Sequence, residues 1–215
     1  MIKRGLLIAL LAGILSTGVA CGADTVGKNN TESTQRTEEV QETETQTEIE
    51  TETEIKIEIV DAEDILRKVW YEYKTGELFK IMGGHFSSVV IGMPAKYDLT
   101  QTVDLVQMYC VPENHLSVLD DAATIIDLNN AARFTAGAYH VTSVENIQSM
   151  ADDIKKQVME NQWHGEKPEK LLVVKVDEQY VLSIYGRESY VDKFKQKLES
   201  VYQKVTEIII EEKLS

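Results

Sequence analysis

The sequence has few cysteines and lacks the common catalytic motifs. Only Cys21 and Cys110 occur among its 215 residues, which excludes the disulfide framework that stabilises many small secreted domains. It contains no Gly-x-Ser-x-Gly elbow, no His-Glu-x-x-His helix and no Gly-Lys-Ser/Thr phosphate loop. We therefore predict that the chain is not an enzyme and that it uses no cofactor.

Basic residues are also scarce. The chain has 22 Lys and Arg against 36 Asp and Glu, a formal net charge of -14. Proteins that bind nucleic acid or anionic lipid do so with Lys and Arg side chains. The composition therefore argues against a nucleic-acid partner and against electrostatic binding to a membrane, so that a membrane link must be covalent.

The histidines do not form a metal-binding pattern. His85, His115, His140 and His164 are far apart in the sequence, and none stands at the spacing of a zinc motif. We predict no metal site and expect these side chains in loops, in helix caps or along a strand. Cys110 has no catalytic pattern around it and is predicted to be a buried apolar cysteine.

The amino-terminal residues have the plan of an export signal. Lys3 and Arg4 provide positive charge, and an apolar run follows over residues 5–15. A helix needs about 20 apolar residues to cross a bilayer, so this run is too short to be a membrane span. Residues 1–20 are predicted to be a signal peptide that is removed.

Cys21 follows small residues at the end of this signal. The stretch Thr17-Gly-Val-Ala-Cys-Gly22 resembles a bacterial lipobox, although Gly18 stands where leucine is usual. Lipidation of Cys21 would anchor the protein on the outer face of the bacterial membrane. The alternative is ordinary cleavage after Ala20, which would release a soluble secreted protein.

Residues 21–60 resemble a spacer. Over residues 42–54 threonine and glutamate nearly alternate, and such a segment buries too little apolar surface to fold. We predict a disordered acidic tether that holds the following domain away from the membrane. Alternating isoleucines over residues 55–60 indicate either an edge strand or the end of this linker.

Residues 61–215 are long enough for one domain with its own core. Asp61 is predicted to cap a first helix, and a second helix is expected between Leu99 and Tyr109. A loop at residues 82–85 and a short strand at residues 86–92 lie between them. The later elements are predicted from apolar periodicity as follows: strands at 118–128 and 132–141, a helix from a capping box at Thr142 and Glu145 to Trp163, strands at 171–176 and 179–185, and a last helix with an apolar stripe from Val191 to Ile208.

These elements predict an α+β fold, with ββαββα order after an amino-terminal helix. Each long helix has one apolar stripe and needs one apolar surface to cover. The arrangement with the fewest layers is a four-stranded, mostly antiparallel sheet with two long helices on one face.

Several aromatic side chains are candidates for contact with a partner. Trp163 stands near glycine and proline at a helix end, and Tyr180 and Tyr185 lie on one predicted strand. Aromatic residues of this kind are enriched in protein interfaces, so these three residues form the predicted partner patch. The alternative is that they cap the core.

The order of the later elements resembles a known family. It runs from Phe134-Thr-Ala-Gly-Ala-Tyr-His-Val141 through Gln162-Trp163 and Lys170-Leu-Leu-Val-Val174 to Tyr180-Val-Leu-Ser-Ile-Tyr-Gly186. Over residues 98–203 and the leader, the chain resembles a family of uncharacterised membrane lipoproteins of clostridial-type bacteria, a domain of unknown function sometimes labelled bacteriocin transport accessory protein. Thioredoxin-like chemistry, found in other proteins with that label, would need a second cysteine beside Cys110.

The predicted function is therefore that of a cell-surface lipoprotein. Its domain is expected to be a non-catalytic protein-interaction module that binds an envelope or secreted protein, in a role accessory to peptide export. The alternative is a small-molecule-binding lipoprotein associated with a transporter. Its weakness is size, since two-lobed solute receptors need a cleft between lobes.

Overall fold

The computed structural model describes residues 57–214. The predicted signal peptide, Cys21 and the tether up to residue 56 lie outside the described residues. The described part forms four α-helices and eight strands, with short 3-10 turns between them. They are α1 (Ala62–Tyr71), β1 (Ile81–Gly83), β2 (Val90–Ile91), β3 (Ala95–Lys96), α2 (Val103–Gln107), β4 (Leu119–Asp127), β5 (Phe134–Val141), α3 (Asn146–Glu160), β6 (Lys170–Val176), β7 (Tyr180–Gly186), α4 (Glu188–Tyr202) and β8 (Thr206–Lys213).

All strand pairs in the sheet are antiparallel. The strand order is β2-β1-β4-β5-β7-β6-β8, and β3 also pairs with β4. The predicted four-stranded sheet is therefore wrong, because within residues 57–214 the sheet has eight strands. Its four central strands, β4 to β7, are those that the sequence predicted.

The helices lie on both faces of the sheet. Along β5, Phe134, Ala136 and Ala138 face a core cluster with α1 and α4, whereas Tyr139 and Val141 face a second cluster with α2 and α3. The prediction of two long helices on one face is wrong for this reason. The central strands are buried on both faces, and a sheet with two apolar faces needs helices on both.

The last predicted helix is too long. Helix α4 ends at Tyr202, and β8 begins four residues later. Three consecutive isoleucines, residues 208–210, favour extended backbone because β-branched side chains pack well on a sheet. Strand β8 pairs with β6, with Val173 opposite Ile210 and Val174 opposite Ile208, so Ile209 forms a β-bulge.

The two predicted helix caps have different outcomes. Asp61 caps α1 as expected, and its carboxylate accepts the N–H of Asp64 at 2.8 Å. The capping box over residues 142–145 is wrong, because α3 begins at Asn146 without a side-chain cap. The hydroxyl of Thr142 donates to the carbonyl of Val118 instead.

Strands β1 and β3 pair with the same side of β4, and Gly83 makes this arrangement feasible. A Cβ at Gly83 would lie 2.4 Å from the Ala95 nitrogen and 2.5 Å from the Thr124 carbonyl oxygen. The hydroxyl of Thr124 also accepts the N–H of Gly84 at 3.0 Å. The chain thus leaves β4 after β1, adds the edge strand β2 on the outer side of β1 and returns to β4 at β3, and the residues between β1 and β3 carry the candidate site.

Candidate functional site

One edge of the sheet carries a run of uncharged residues. Residues 83–95 contain no Asp, Glu, Lys or Arg, although charged residues make up 27% of the chain. Four large apolar side chains in this run are exposed: Phe86 (40%), Val89 (37%), Val90 (42%) and Ile91 (61%). We call these four residues the β2 surface. Apolar groups concentrated in this way are typical of interaction sites.

The backbone of β2 is open on one side. Val90 pairs with Gly83, Ile91 pairs with Met82, and the N–H of Gly92 donates to the carbonyl of Ile81 at 2.7 Å. No strand among residues 57–214 pairs with the outer side of β2. An exposed apolar strand with a free edge is a template for a further strand.

The opposite edge of the sheet is protected. Strand β8 contains the bulge at Ile209 and four charged side chains, each in an ion pair. The pairs are Glu207 with Lys175, Glu211 with Lys170 and Lys195, Glu212 with Lys155, and Lys213 with Glu188. Charges and bulges are the usual means by which edge strands avoid pairing with other chains.

A buried histidine lies beside the β2 surface. His85 is 8% exposed, and its Nε2 lies 3.3 Å from Oδ2 of Asp104, which belongs to α2. Its Nδ1 lies 2.7 Å from Oγ of Ser87 and 3.1 Å from the Ser87 nitrogen. The ring of Tyr97 packs against the imidazole, with centroids 5.4 Å apart, and this holds the imidazole in place.

These distances assign the tautomer of His85. Because the backbone N–H of Ser87 donates to Nδ1, that nitrogen carries no proton. The ring proton is therefore on Nε2, the nitrogen that lies 3.3 Å from the carboxylate of Asp104. The Ser87 hydroxyl, 2.7 Å from Nδ1, shares the lone pair of that nitrogen with the backbone N–H.

The other histidine–carboxylate pairs lie elsewhere. His115 contacts Asp153 with 2.8 Å between Nε2 and Oδ2, and His140 contacts Asp120 with 2.5 Å between Nδ1 and Oδ1. The hydrogen bond from His115 lowers the pKa of Asp153. Within residues 57–214, no group of three or more His, Cys, Asp or Glu side chains is placed to hold a metal ion.

The structure does not bring the predicted partner patch together. Tyr185 is fully buried, and its hydroxyl donates to the carbonyl of Met108. Trp163 is half-buried and covers Tyr185 on the α3 face, whereas Tyr180 is half-buried on the other face beside His140. Positions 180 and 185 differ by an odd number, so along a strand their side chains point to opposite faces.

Of the two cysteines, only Cys110 lies within the described residues. Cys110 is buried as predicted, and burial raises the pKa of its thiol to about 11. The thiol is therefore protonated at neutral pH and is a poor nucleophile. The predicted lipidation site, Cys21, lies outside the described residues.

A shallow cleft with an aromatic lining lies near the start of α4. Its volume is about 310 Å³, and its lining includes Tyr73, Phe79, Tyr190, Glu77 and Lys193. Ammonium groups of Lys197 and Lys193 lie 2.9 and 3.0 Å from the carboxylate of Glu77. The hydrogen bonds from Lys197, the Lys74 backbone and Lys193 lower the pKa of Glu77 to about 2.

Sequence reasoning missed both features of the β2 edge. The uncharged run over residues 83–95 is visible in the sequence and was the available signal. The contact between His85 and Asp104 was not predictable from a motif, because the fold of α2 brings these distant residues together.

No helix among residues 57–214 is long and apolar enough to cross a membrane. Comparison of the chain with protein-family models, with curated proteins and with solved structures finds no match.

Proposed function

We propose that this domain is a protein-interaction module displayed on the outer face of a bacterial membrane. Its binding site is the β2 surface, and its partner is an extended, uncharged segment of another envelope or secreted protein. A peptide in export is one source of such a segment. The observation that carries this proposal is an open strand edge with four exposed apolar side chains in a run without charges.

The chemistry of the partner follows from the surface. A strand added beside β2 would pair with the backbone groups on the outer side of that strand, as in other complexes formed by strand addition. Burial of apolar side chains adds about 25 cal/mol for each Å² removed from water. A charged partner side chain would lose its hydration with no opposite charge in residues 83–95 to pair with, so an uncharged segment is favoured.

Photo-crosslinking on intact cells tests the proposal. We would replace Val90 by p-benzoylphenylalanine and, in a matched control, replace Ile208 on β8 by the same residue. We expect a crosslink at position 90 and little at position 208, with mass spectrometry placing position 90 against an uncharged segment of a different protein. Equal crosslinking at both positions, only monomer, or only a second copy of this chain would overturn the proposal.

The membrane location is a second part of the proposal and is tested separately. The lipobox-like residues before Cys21 support a lipid anchor at that cysteine. Cys21→Ser should release most of the protein from the membrane fraction to the medium, as measured by immunoblotting. A variant that stays in the membrane fraction would contradict the lipid anchor, but it would not contradict binding at the β2 surface.

The alternative function, binding of a small molecule, is supported by the aromatic cleft. Its volume of about 310 Å³ is at the lower end of the range for ligand sites. A ligand at 100 times its dissociation constant would stabilise the protein by about 2.7 kcal/mol. A thermal-shift screen in which Tyr190→Ala removes the shift would favour this alternative over the interaction module.

A further inference from the structure

We infer that Ser87 is an activated nucleophile that accepts acyl groups, with His85 as its general base and Asp104 as the residue that positions His85. This activity goes beyond the proposed docking function, although it lies at the same edge of the sheet. The geometry that carries it is the 2.7 Å contact between Oγ of Ser87 and Nδ1 of His85, with the carboxylate of Asp104 at 3.3 Å from the opposite ring nitrogen. A nucleophile, a base in contact with it and a third group that orients the base are the general parts of such a site.

A structural role for His85 explains only part of this geometry. Its imidazole accepts the backbone N–H of Ser87 and so caps the 3-10 turn Phe86–Ser88. That cap needs neither a hydroxyl at position 87 nor a carboxylate at the opposite ring nitrogen. The hydroxyl contact is 2.7 Å, shorter than the 3.1 Å of the cap itself.

The environment suits a general base. His85 is almost completely buried while Ser87 is exposed, so the base is held in place and the nucleophile is accessible. When Nδ1 takes a proton, the positive charge that forms on the ring is stabilised by the carboxylate of Asp104 at Nε2. Electrostatic interactions of this kind are stronger where water is excluded.

The neighbouring side chains indicate the class of substrate. Phe86 and Val89, both exposed, flank Ser87 in the sequence, and the whole run is uncharged. These groups offer an apolar contact for an acyl chain and no charge for an ionic substrate. We therefore expect uncharged esters with an apolar acyl group.

The reaction has two balanced halves. Oγ of Ser87 attacks the carbonyl carbon of the ester, its proton passes to Nδ1 of His85, and the alcohol leaves with that proton to give acyl-Ser87. Water then attacks the acyl carbon, gives a proton to Nδ1, and the carboxylic acid leaves as the proton returns to Oγ. The oxyanion of the tetrahedral intermediate forms next to an exposed residue, so we expect slow turnover. General-base catalysis by His85 should increase the rate by about 10²-fold to 10⁴-fold.

An alkyl fluorophosphonate on the full chain tests this inference. The serine oxygen bonds to phosphorus, fluoride leaves, and the serine proton passes to His85. We expect mass spectrometry to place the adduct on Ser87. Ser87→Ala should abolish labelling, whereas Ser88→Ala, which changes an adjacent exposed serine, should retain it. No adduct on the parent chain, or equal labelling after Ser87→Ala, would overturn the inference.

The role of Asp104 needs its own measurement. Asp104→Asn should slow labelling at least tenfold, and Asp104→Glu should restore part of the rate, with circular dichroism melting curves checking that both variants are folded. Labelling at the parent rate in folded Asp104→Asn would show that Ser87 reacts without help from Asp104. Because Ser87→Ala leaves the four apolar side chains in place, it should still crosslink at position 90, which separates this activity from docking.

Discussion

The two edges of the sheet are built in opposite ways. Strand β8 is long, bulged and held by ion pairs to β6, α3 and α4. Strand β2 has two residues, and the uncharged run 83–95 that contains it carries four exposed apolar side chains. A protein that protects one edge so fully and leaves the other apolar has an edge available for contact.

The largest effect is expected from Gly83→Ala, which would disrupt the packing of β1, the strand that carries β2, against β3 and β4. The new methyl group would meet backbone atoms of β3 and β4 that cannot move separately. We expect the free energy of unfolding to fall by about 3 kcal/mol, as measured by urea denaturation. Gly76→Ala is the matched control, since nothing lies within 4 Å of the position of its Cβ. Similar losses for both variants would contradict this account of how β1 and β3 share one side of β4.

A smaller effect on stability, but a clear one on binding, is expected from Ile91→Lys. Ile91 is mostly exposed, so the free energy of unfolding should change by no more than about 0.5 kcal/mol. The introduced charge should reduce the crosslink at position 90 at least tenfold, because a partner strand would bury it unpaired. Ile208→Lys at the other edge should leave that crosslink unchanged. Equal effects of the two substitutions on the crosslink would remove the distinction between the edges.

The smallest effect concerns the acid response of β8. Hydrogen bonds from Lys170 and then Lys195 lower the pKa of Glu211. A carboxyl group whose pKa is lowered by folding stabilises the protein above its unfolded pKa of about 4.5 and loses that effect as the pH falls through the folded value. Parent protein should therefore melt slightly above Glu211→Gln at pH 7, and the gap should close in acid. A gap that widens as the pH falls would reverse this assignment.

Long periodic elements were predictable from the sequence, and short ones were not. Strands β4 to β7 and helix α1 follow clear apolar patterns, whereas β1, β2 and β3 have two or three residues each and show no period. Strand β8 was assigned to a helix because Val201, Val205 and Ile208 continue the stripe of α4 at intervals of three and four. The three adjacent isoleucines and the apolar run Leu171–Val174 were the signals for a strand and for a sheet buried on both faces.

The candidate site was less predictable than the fold. Interface statistics favoured Trp163, Tyr180 and Tyr185, but Tyr185 is buried in the core and half-buried Trp163 packs against it. The contact between His85 and Asp104 depends on where α2 packs, and no local pattern in the sequence predicts that position.

Because β1 and β3 both pair with β4, the segment between them can evolve separately from the rest of the sheet. Residues 84–94 begin and end against β4, with Thr124 in contact with Gly84 at the point of departure. Insertions, deletions and substitutions between these two attachments would leave the register of the remaining sheet intact, and lengthening a surface loop costs little entropy. Residues 84–94 are therefore free to change in sequence and length while the scaffold that presents them stays constant.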